Sequence, residues 1–352
     1  MRMNFMTAHR IGLTSLGAVL LVLLASLFLW NPRSNLNLVL ITLDTTRADR
    51  LGCYGYERAL TPALDGLSAS GVLFERAYTA VPSTLASHAT MFTGLTPREH
   101  GIHENGTGQL SGKIPVVAEI LRSRGYDTGA FVGAFVLDAK FGLNRGFQEY
   151  DDDTFGGEHS VDPLHRRRSG QSVVDKALHW LKGRTTRPFF CWVHLFDPHA
   201  PYAARADLFG TQFENRPYDA GIAVADQQIE RVLDHLRRNG LTEQTMVVVA
   251  GDHGEGLGEH FEVEHGHLLY NSTLHVPLIF SWPQKNKPGH RVPTPVSLVD
   301  LYPTLLDCLE CGGGTLRGVL RRLSQVANLC LESAGQKRIS RFRFIAAPRC
   351  AV

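Results

Sequence analysis

The chain has 352 residues, 43% of them apolar and 20% charged, with a formal net charge of +2. That is enough for one large domain or two modest ones with a substantial core. The near-neutral balance excludes a nucleic-acid partner recruited by bulk charge. The six cysteines (Cys53, Cys191, Cys308, Cys311, Cys330 and Cys350) show no recurring zinc-type spacing, and a chain this long needs no disulfide staples. Cys53 and Cys191 read as buried or free thiols. Cys308 and Cys311 form a lone C-x-x-C, too little by itself to specify a metal site.

Residues 11–30, IGLTSLGAVLLVLLASLFLW, carry no charge and follow Arg2, His9 and Arg10. About 20 apolar residues at 1.5 Å rise span a bilayer core. The run continues to Trp30 and then Asn31-Pro32-Arg33, which favours an uncleaved signal anchor over a cleaved signal peptide. The preceding basic residues place the N-terminus in the cytoplasm and everything after about residue 35 outside it. The expectation is a single-pass protein of the cell membrane with an extracytoplasmic domain. Residues 1–34 form the anchor and linker, 35–310 the catalytic domain, and 311–352 a basic tail.

LNLVLITL (36–43) is the nearly continuous apolar run of a buried parallel strand. GVLFERAYTA (71–80) reads as a second strand. It leads into VPSTLASHATMFTG (81–94), where the pattern turns helical from the Ser83-Thr84 pair onward. Residues 116–133 read as helix, glycine, strand, and 172–184 as an amphipathic helix. PFFCWVHLF (188–196) is a strand ending at Asp197. Residues 220–240 are a long helix closed by Gly240. TMVVVAGDHGEG (245–256) runs from a strand into an acidic glycine loop. Residues 275–283 read as a strand and 296–310 as a helix. From Cys311 onward Arg and Gly dominate, Glu332 is the sole acid, and no core element is predicted.

Strands alternating with helices predict a mostly parallel sheet covered on both faces. Sites in such sheets form at the carboxyl ends of the strands. That rule gathers Asp44, Ser83-Thr84, Asp197-His199 and Asp252-His253, each of which follows a predicted strand. Asp44, Asp252 and His253 with one hydroxyl make an O and N donor set suited to one divalent cation such as Mn²⁺, Mg²⁺, Ca²⁺ or Zn²⁺. Such a cation would activate the hydroxyl and neutralise an anionic substrate. A hydroxyl at a helix N-terminus adds that end's partial positive charge. Together these point to attack on a sulfate or phosphate ester. Taken singly, each residue has an ordinary use: Ser83 or Thr84 as a helix cap, Asp as a turn former. It is the joint occurrence at successive strand ends that points to chemistry.

Five segments carry a family resemblance. They are LVLITLDTTRADRLGCYGY, the stretch from Val81 through GLTPREHGIHENG, VHLFDPHAPY, VVVAGDHGEGLGEH and LLYNSTLHVPLIF. In this order, over about residues 36–310, they resemble the sulfatase family of the alkaline phosphatase superfamily. The resemblance implies an alkaline-phosphatase-like α/β fold, a mixed but mostly parallel sheet between helices. It also implies a divalent metal and hydrolysis or transfer of anionic esters. Asp44 matches the family's first metal ligand, and Asp252-His253 its later ligand pair. Thr45 stands where many sulfatases have a second Asp. His199 matches a His that contacts the anionic group. Asn105 lies where phosphonate and phosphate ester hydrolases place a substrate-binding Asn. Arg47 and His88 are further substrate-binding candidates. The family's Lys ahead of the LYE-like segment is absent, and His265 or His267 is expected in its place.

The departure is at the nucleophile. Sulfatases carry Cys-x-Pro-Ser-Arg, whose Cys becomes formylglycine; this chain reads Thr84-Leu85-Ala86-Ser87-His88. No formylglycine can form. Thr84 takes the nucleophile position, as Thr does in the similar phosphoethanolamine transferases and lipoteichoic-acid synthases. The second metal of alkaline phosphatases needs Asp-x-x-x-His, and four residues after Asp197 stands Pro201. A single-metal centre follows, with His199 and His267 supplying positive charge and acid catalysis. Three functions stay open: a membrane-anchored hydrolase of a sulfated or phosphorylated glycan, lipid or small molecule; a phospho-alcohol transferase; and a non-catalytic sulfatase-like binding domain.

Overall fold

The computed structural model describes residues 36–154, 168–184, 187–282 and 287–309. The predicted anchor at 11–30, the tail from 311 and with it Cys311 lie outside them. Among the described residues no helix is long and apolar enough to cross a membrane.

The chain order is β1 (Asn37–Leu43), α1 (Pro62–Ser70), β2 (Val72–Phe74), β3 (Ala77–Tyr78), α2 (Thr84–Thr93), α3 (Val117–Ser123), β4 (Asp127–Val132), β5 (Glu149–Asp151), α4 (Gly170–Leu181), β6 (Phe189–Leu195), α5 (Pro217–Arg238), β7 (Thr245–Gly251), β8 (His275–Val276), β9 (Leu278–Ser281), β10 (His290–Val292), β11 (Val296–Ser297) and α6 (Leu301–Cys308), with short helical turns between. Eight strands form one sheet in the order β10-β2-β9-β7-β1-β6-β4-β5. Only β9 runs against the rest, pairing antiparallel with both β7 and β2. The mixed, mostly parallel sheet expected from the strand–helix alternation is therefore present.

Every residue of β1, β6 and β7 is buried, which is why these segments read as unbroken apolar runs. Alternate side chains feed two cores. Leu38, Leu40, Trp192 and Val248 pack with α2, α3 and α6 on one face. Val39, Ile41, Val193 and Val249 pack with α1, α4 and α5 on the other.

Two segments expected as single strands are each divided. Residues 71–80 split at Glu75-Arg76 into β2 and β3, and residues 275–283 split at Pro277 into β8 and β9. Pro277 has no N–H for a ladder and breaks the strand. The displaced halves form a separate three-stranded sheet, β11-β3-β8. The helix expected from residue 296 starts at Leu301, because Val296–Ser297 are taken by β11.

The centre of the large sheet positions the site. β1 lies between β6 and β7, with Leu43 opposite both Leu195 and Gly251. The ladder runs one residue further: Asp44 N–H donates to Leu195 O (2.9 Å) and Asp252 N–H to Leu43 O (3.1 Å). Asp44 and Asp252 thus leave adjacent strands at the same height.

Candidate active site

Both carboxylates are fully buried and half satisfied. Asp252 Oδ1 accepts from the Thr45 and His253 backbone N–H groups at 3.2 and 2.7 Å. Asp44 Oδ2 lies 3.1 Å from His194 Nε2. The other oxygens, Asp44 Oδ1 and Asp252 Oδ2, have no hydrogen-bond partner. His253 Nδ1–H donates to Gly254 O (2.9 Å), so the neutral ring keeps its lone pair on Nε2. That nitrogen is 3.9 Å from Asp44 Oδ1, 3.7 Å from Asp252 Oδ2 and 3.2 Å from Thr84 Oγ1. The turn requires Gly254, since a Cβ there would lie 2.0 Å from Ser272 O.

A divalent cation fits this cluster. One ligand atom each from Asp44, Asp252 and His253 lies within 4.8 Å of the others. Two buried carboxylate oxygens without partners beside an imidazole lone pair form a costly arrangement that a cation satisfies. Without one, burial pushes the Asp44 pKa up to about 8. Burial, then the Asp44 charge, holds Asp252 well above the carboxylate range. Burial, then the His265 charge, keeps His253 well below the usual imidazole value.

A stability signature follows. In the metal-free fold Asp44 and Asp252 hold protons that the unfolded chain releases above about pH 4, so their contribution is lost as pH rises, for Asp44 through about 8. Buried His88, His194 and His253 act oppositely: their pKa values are lowered, and their contribution grows until unfolded imidazole stops binding protons near pH 6.5. Between about pH 6.5 and 8 the carboxylates prevail. Metal-stripped protein is expected to show a falling denaturation midpoint across that window. Asp226, raised to about 7, adds the same sign, so the difference between wild type and Asp44→Asn isolates the site. A urea titration at each pH checks this, and equal slopes for the two proteins would refute the assignment.

Thr84 is the first residue of α2 and only 1% exposed. Neither it nor Ser83 caps the helix. Asn105 does so from a distant loop: its Oδ1 accepts from Leu85 N–H (2.8 Å) and from the Ser83 hydroxyl (3.1 Å). The Thr84 hydroxyl is thereby left for the metal cluster, where it lies 3.2 Å from His253 Nε2.

Other expected residues divide into those inside the cluster and those outside it. A hairpin over residues 256–264, bonded Gly256 N–H to Glu264 O and Leu257 N–H to Val263 O, returns the chain to the cluster. It delivers His265, whose ring centroid is 4.3 Å from His253 and 5.3 Å from His199. His267 is exposed two residues further on, its backbone N–H tied to Glu262 (2.8 Å). Of the two candidates for the missing Lys, the structure brings in His265. His199 stacks on Phe196 with Nδ1 2.7 Å from Ala200 O. His88 faces inward: completely buried, it has Nδ1 on Thr84 O (2.7 Å) and Nε2 on Thr42 Oγ1 (3.0 Å). A shorter, ring-shaped side chain at the Arg position of the family motif reaches the sheet instead of an anion. Arg47 is also occupied, by Asp49, Glu259 and the Glu255 carbonyl.

Glu255, His194 and Thr42 were not singled out from the sequence. Glu255 is fully buried, with one oxygen 3.0 Å from His265 Nδ1 and the other accepting from Tyr202 OH (2.7 Å). Burial disfavours the charged His265 ring, but Glu255, with Asp44 and Asp252, more than offsets this and raises its pKa. The available signals were an acid three residues after Asp252 and a His inside the apolar run of β6.

A family model described as Sulfatase matches residues 36–311. The chain belongs to the sulfatase family. It is 26% identical over 338 residues to a sulfatase of Escherichia coli K12 described as uncharacterized (YidJ), covering 77% of this chain and 67% of that protein. Among solved structures, the phosphonate monoester hydrolase of Agrobacterium radiobacter shares the fold at TM-score 0.65 and 21% identity, with 78% and 74% of the two chains covered. A protein solved with its substrate D-glucosamine-2-N,6-O-disulfate does so at TM-score 0.66 and 18% identity, with 82% and 80% covered. This sulfatase-family chain spans 67%, 53% and 61% of the length of three curated relatives it matches.

Proposed function

We propose that this sulfatase-family chain is a metal-dependent hydrolase of anionic esters that uses the Thr84 hydroxyl as its nucleophile. One observation carries the reading. The Thr84 hydroxyl, two partnerless carboxylate oxygens and the His253 lone pair converge at the carboxyl ends of β1 and β7. A cation held by Asp44, Asp252 and His253 would lower the Thr84 hydroxyl pKa and offset the ester's negative charge. Thr84 Oγ1 bonds to the sulfur or phosphorus, the ester's bridging bond breaks, and the hydroxyl proton passes to the neighbouring Asp44 carboxylate. His265, paired with Glu255 at 3.0 Å, is the nearby acid for the departing oxygen, with His199 beside it. Water then cleaves the Thr84 ester. Asn105 has committed its carbonyl to α2, so its NH₂ is the group left to contact substrate.

The missing formylglycine bears on the choice of ester. A hydrated aldehyde has a second hydroxyl on the same carbon, which can expel bound sulfate. Thr84 has none, so its intermediate must be released by attack at the central atom. Phosphorus accepts such attack more readily than a sulfate ester does. The substrate of the glucosamine-disulfate relative supports an anionic sugar ester as one natural class, and a phosphorylated glycan, lipid or small molecule fits the same centre. The apolar run at 11–30 supports a membrane anchor with the catalytic domain outside the cytoplasm.

The test is turnover of p-nitrophenyl sulfate, p-nitrophenyl phosphate and a bis-p-nitrophenyl phosphodiester with Mn²⁺, Mg²⁺, Ca²⁺ or Zn²⁺. Either phosphorus ester is expected to exceed the sulfate. Transfer to an added alcohol in preference to water would identify a transferase. No metal binding and no turnover would leave a binding domain and refute the hydrolase.

A further inference from the structure

We propose that His194 is a positioning residue of the metal centre, resting on the metal-dependent reading above. It holds Asp44 through Oδ2 and so presents Oδ1 to the cation, through a buried chain that also grips the backbone of Thr84.

The chain can be followed atom by atom. Asp44 Oδ2 lies 3.1 Å from His194 Nε2, and His194 Nδ1 lies 3.0 Å from Thr42 Oγ1. Thr42 Oγ1 lies 3.0 Å from His88 Nε2 and accepts from the Trp192 indole N–H at 2.9 Å. His88 Nδ1–H donates to Thr84 O at 2.7 Å. Thr42, Asp44, His88, Trp192 and His194 are all 0% exposed. Thr42 and His194 are register partners on β1 and β6, and His88 is one turn along α2 from Thr84. Two strands and one helix therefore hold the chain rigid.

Asp44 Oδ2 is engaged by His194 Nε2 at 3.1 Å. Oδ1, which the chain leaves without a partner, is therefore the oxygen presented to the cation, 3.9 Å from His253 Nε2. The same chain ends on the carbonyl of the residue whose hydroxyl enters the cluster. It thus fixes the spacing between metal ligand and Thr84, using the position where the family motif has Arg.

Outer partners of metal ligands typically contribute about 10- to 100-fold in metal affinity. The experiment is calorimetric titration of the full chain with Mn²⁺, alongside thermal melts of the metal-free proteins. His194→Phe is expected to weaken Mn²⁺ binding by about 10- to 100-fold. His194→Gln, whose NH₂ can reach Asp44 Oδ2, is expected to recover most of it. Thr42→Val, nearly isosteric, is expected to weaken binding several-fold and decides the matter if His194→Phe does not fold. A merely structural role would lower the metal-free melting temperature and leave the Mn²⁺ affinity of the folded protein unchanged. Binding by His194→Phe or Thr42→Val within about twofold of wild type would overturn the proposal, as would His194→Gln no better than His194→Phe. Failure of wild type to bind any metal would overturn the metal-dependent reading as well, and so separates the two.

Discussion

Replacing Thr84 with alanine is expected to lower kcat by about ten-thousandfold or more, the scale of loss when a nucleophile is removed from a covalent mechanism. KM should change little, because the hydroxyl is a reacting group more than a binding one. Thr84→Ser is expected to keep most of the activity. The structure supplies a control that the sequence could not. A Thr at the start of a helix is ordinarily a cap, and losing a cap costs about 1 kcal/mol of stability. Here the capping acceptor is Asn105 Oδ1 on Leu85 N–H. Thr84→Ala is therefore expected to leave the melting temperature nearly unchanged while removing turnover. A variant that melts early yet keeps activity within tenfold would assign Thr84 a structural role.

Asp252→Asn is expected to act in opposite directions with and without metal. The amide oxygen can still accept from the Thr45 and His253 N–H groups, preserving the turn. Its NH₂ replaces Oδ2, the carboxylate oxygen that has no partner, with a group that cannot ligate. Metal affinity is expected to fall by more than the 10- to 100-fold typical of an outer-shell change, and activity with it. The metal-free protein should become more stable near neutral pH, because buried Asp252 must take up a proton to fold there and an amide need not. Melting curves of wild type and variant in chelator and in excess Mn²⁺ check both signs. A variant less stable in both conditions would mean that the two carboxylates serve the fold and hold no ion.

Much of this was legible in the residues. Strand ends could be read because β1, β6 and β7 are buried on both faces and so lack polar interruption. That placed Asp44, Asp252-His253 and Asp197-His199 on one sheet edge before any coordinates. Orientation was not legible. His88 was expected at the substrate because the family has Arg there, but a side chain's direction depends on what lies behind it. Behind His88 are Thr42 and Trp192, 150 residues apart from each other in sequence. Arg47 is occupied by Glu259, an acid brought across by a hairpin whose register rests on backbone hydrogen bonds no local pattern announces. The same hairpin decided between His265 and His267. Asn105 shows the converse. Its position was readable, but its use as a remote helix cap depended on Ser83 and Thr84 leaving the task open.

The Thr84 ester tests the central claim most directly. The full chain with its preferred metal would be mixed with a p-nitrophenyl ester, quenched within the first turnovers and digested. The peptide containing residues 81–94 would then be examined by mass spectrometry. A phosphoryl or sulfuryl group on Thr84, building up with the burst of p-nitrophenol and absent from Thr84→Ala, is the expected result. Steady turnover with no adduct, or an adduct on another residue, would contradict it.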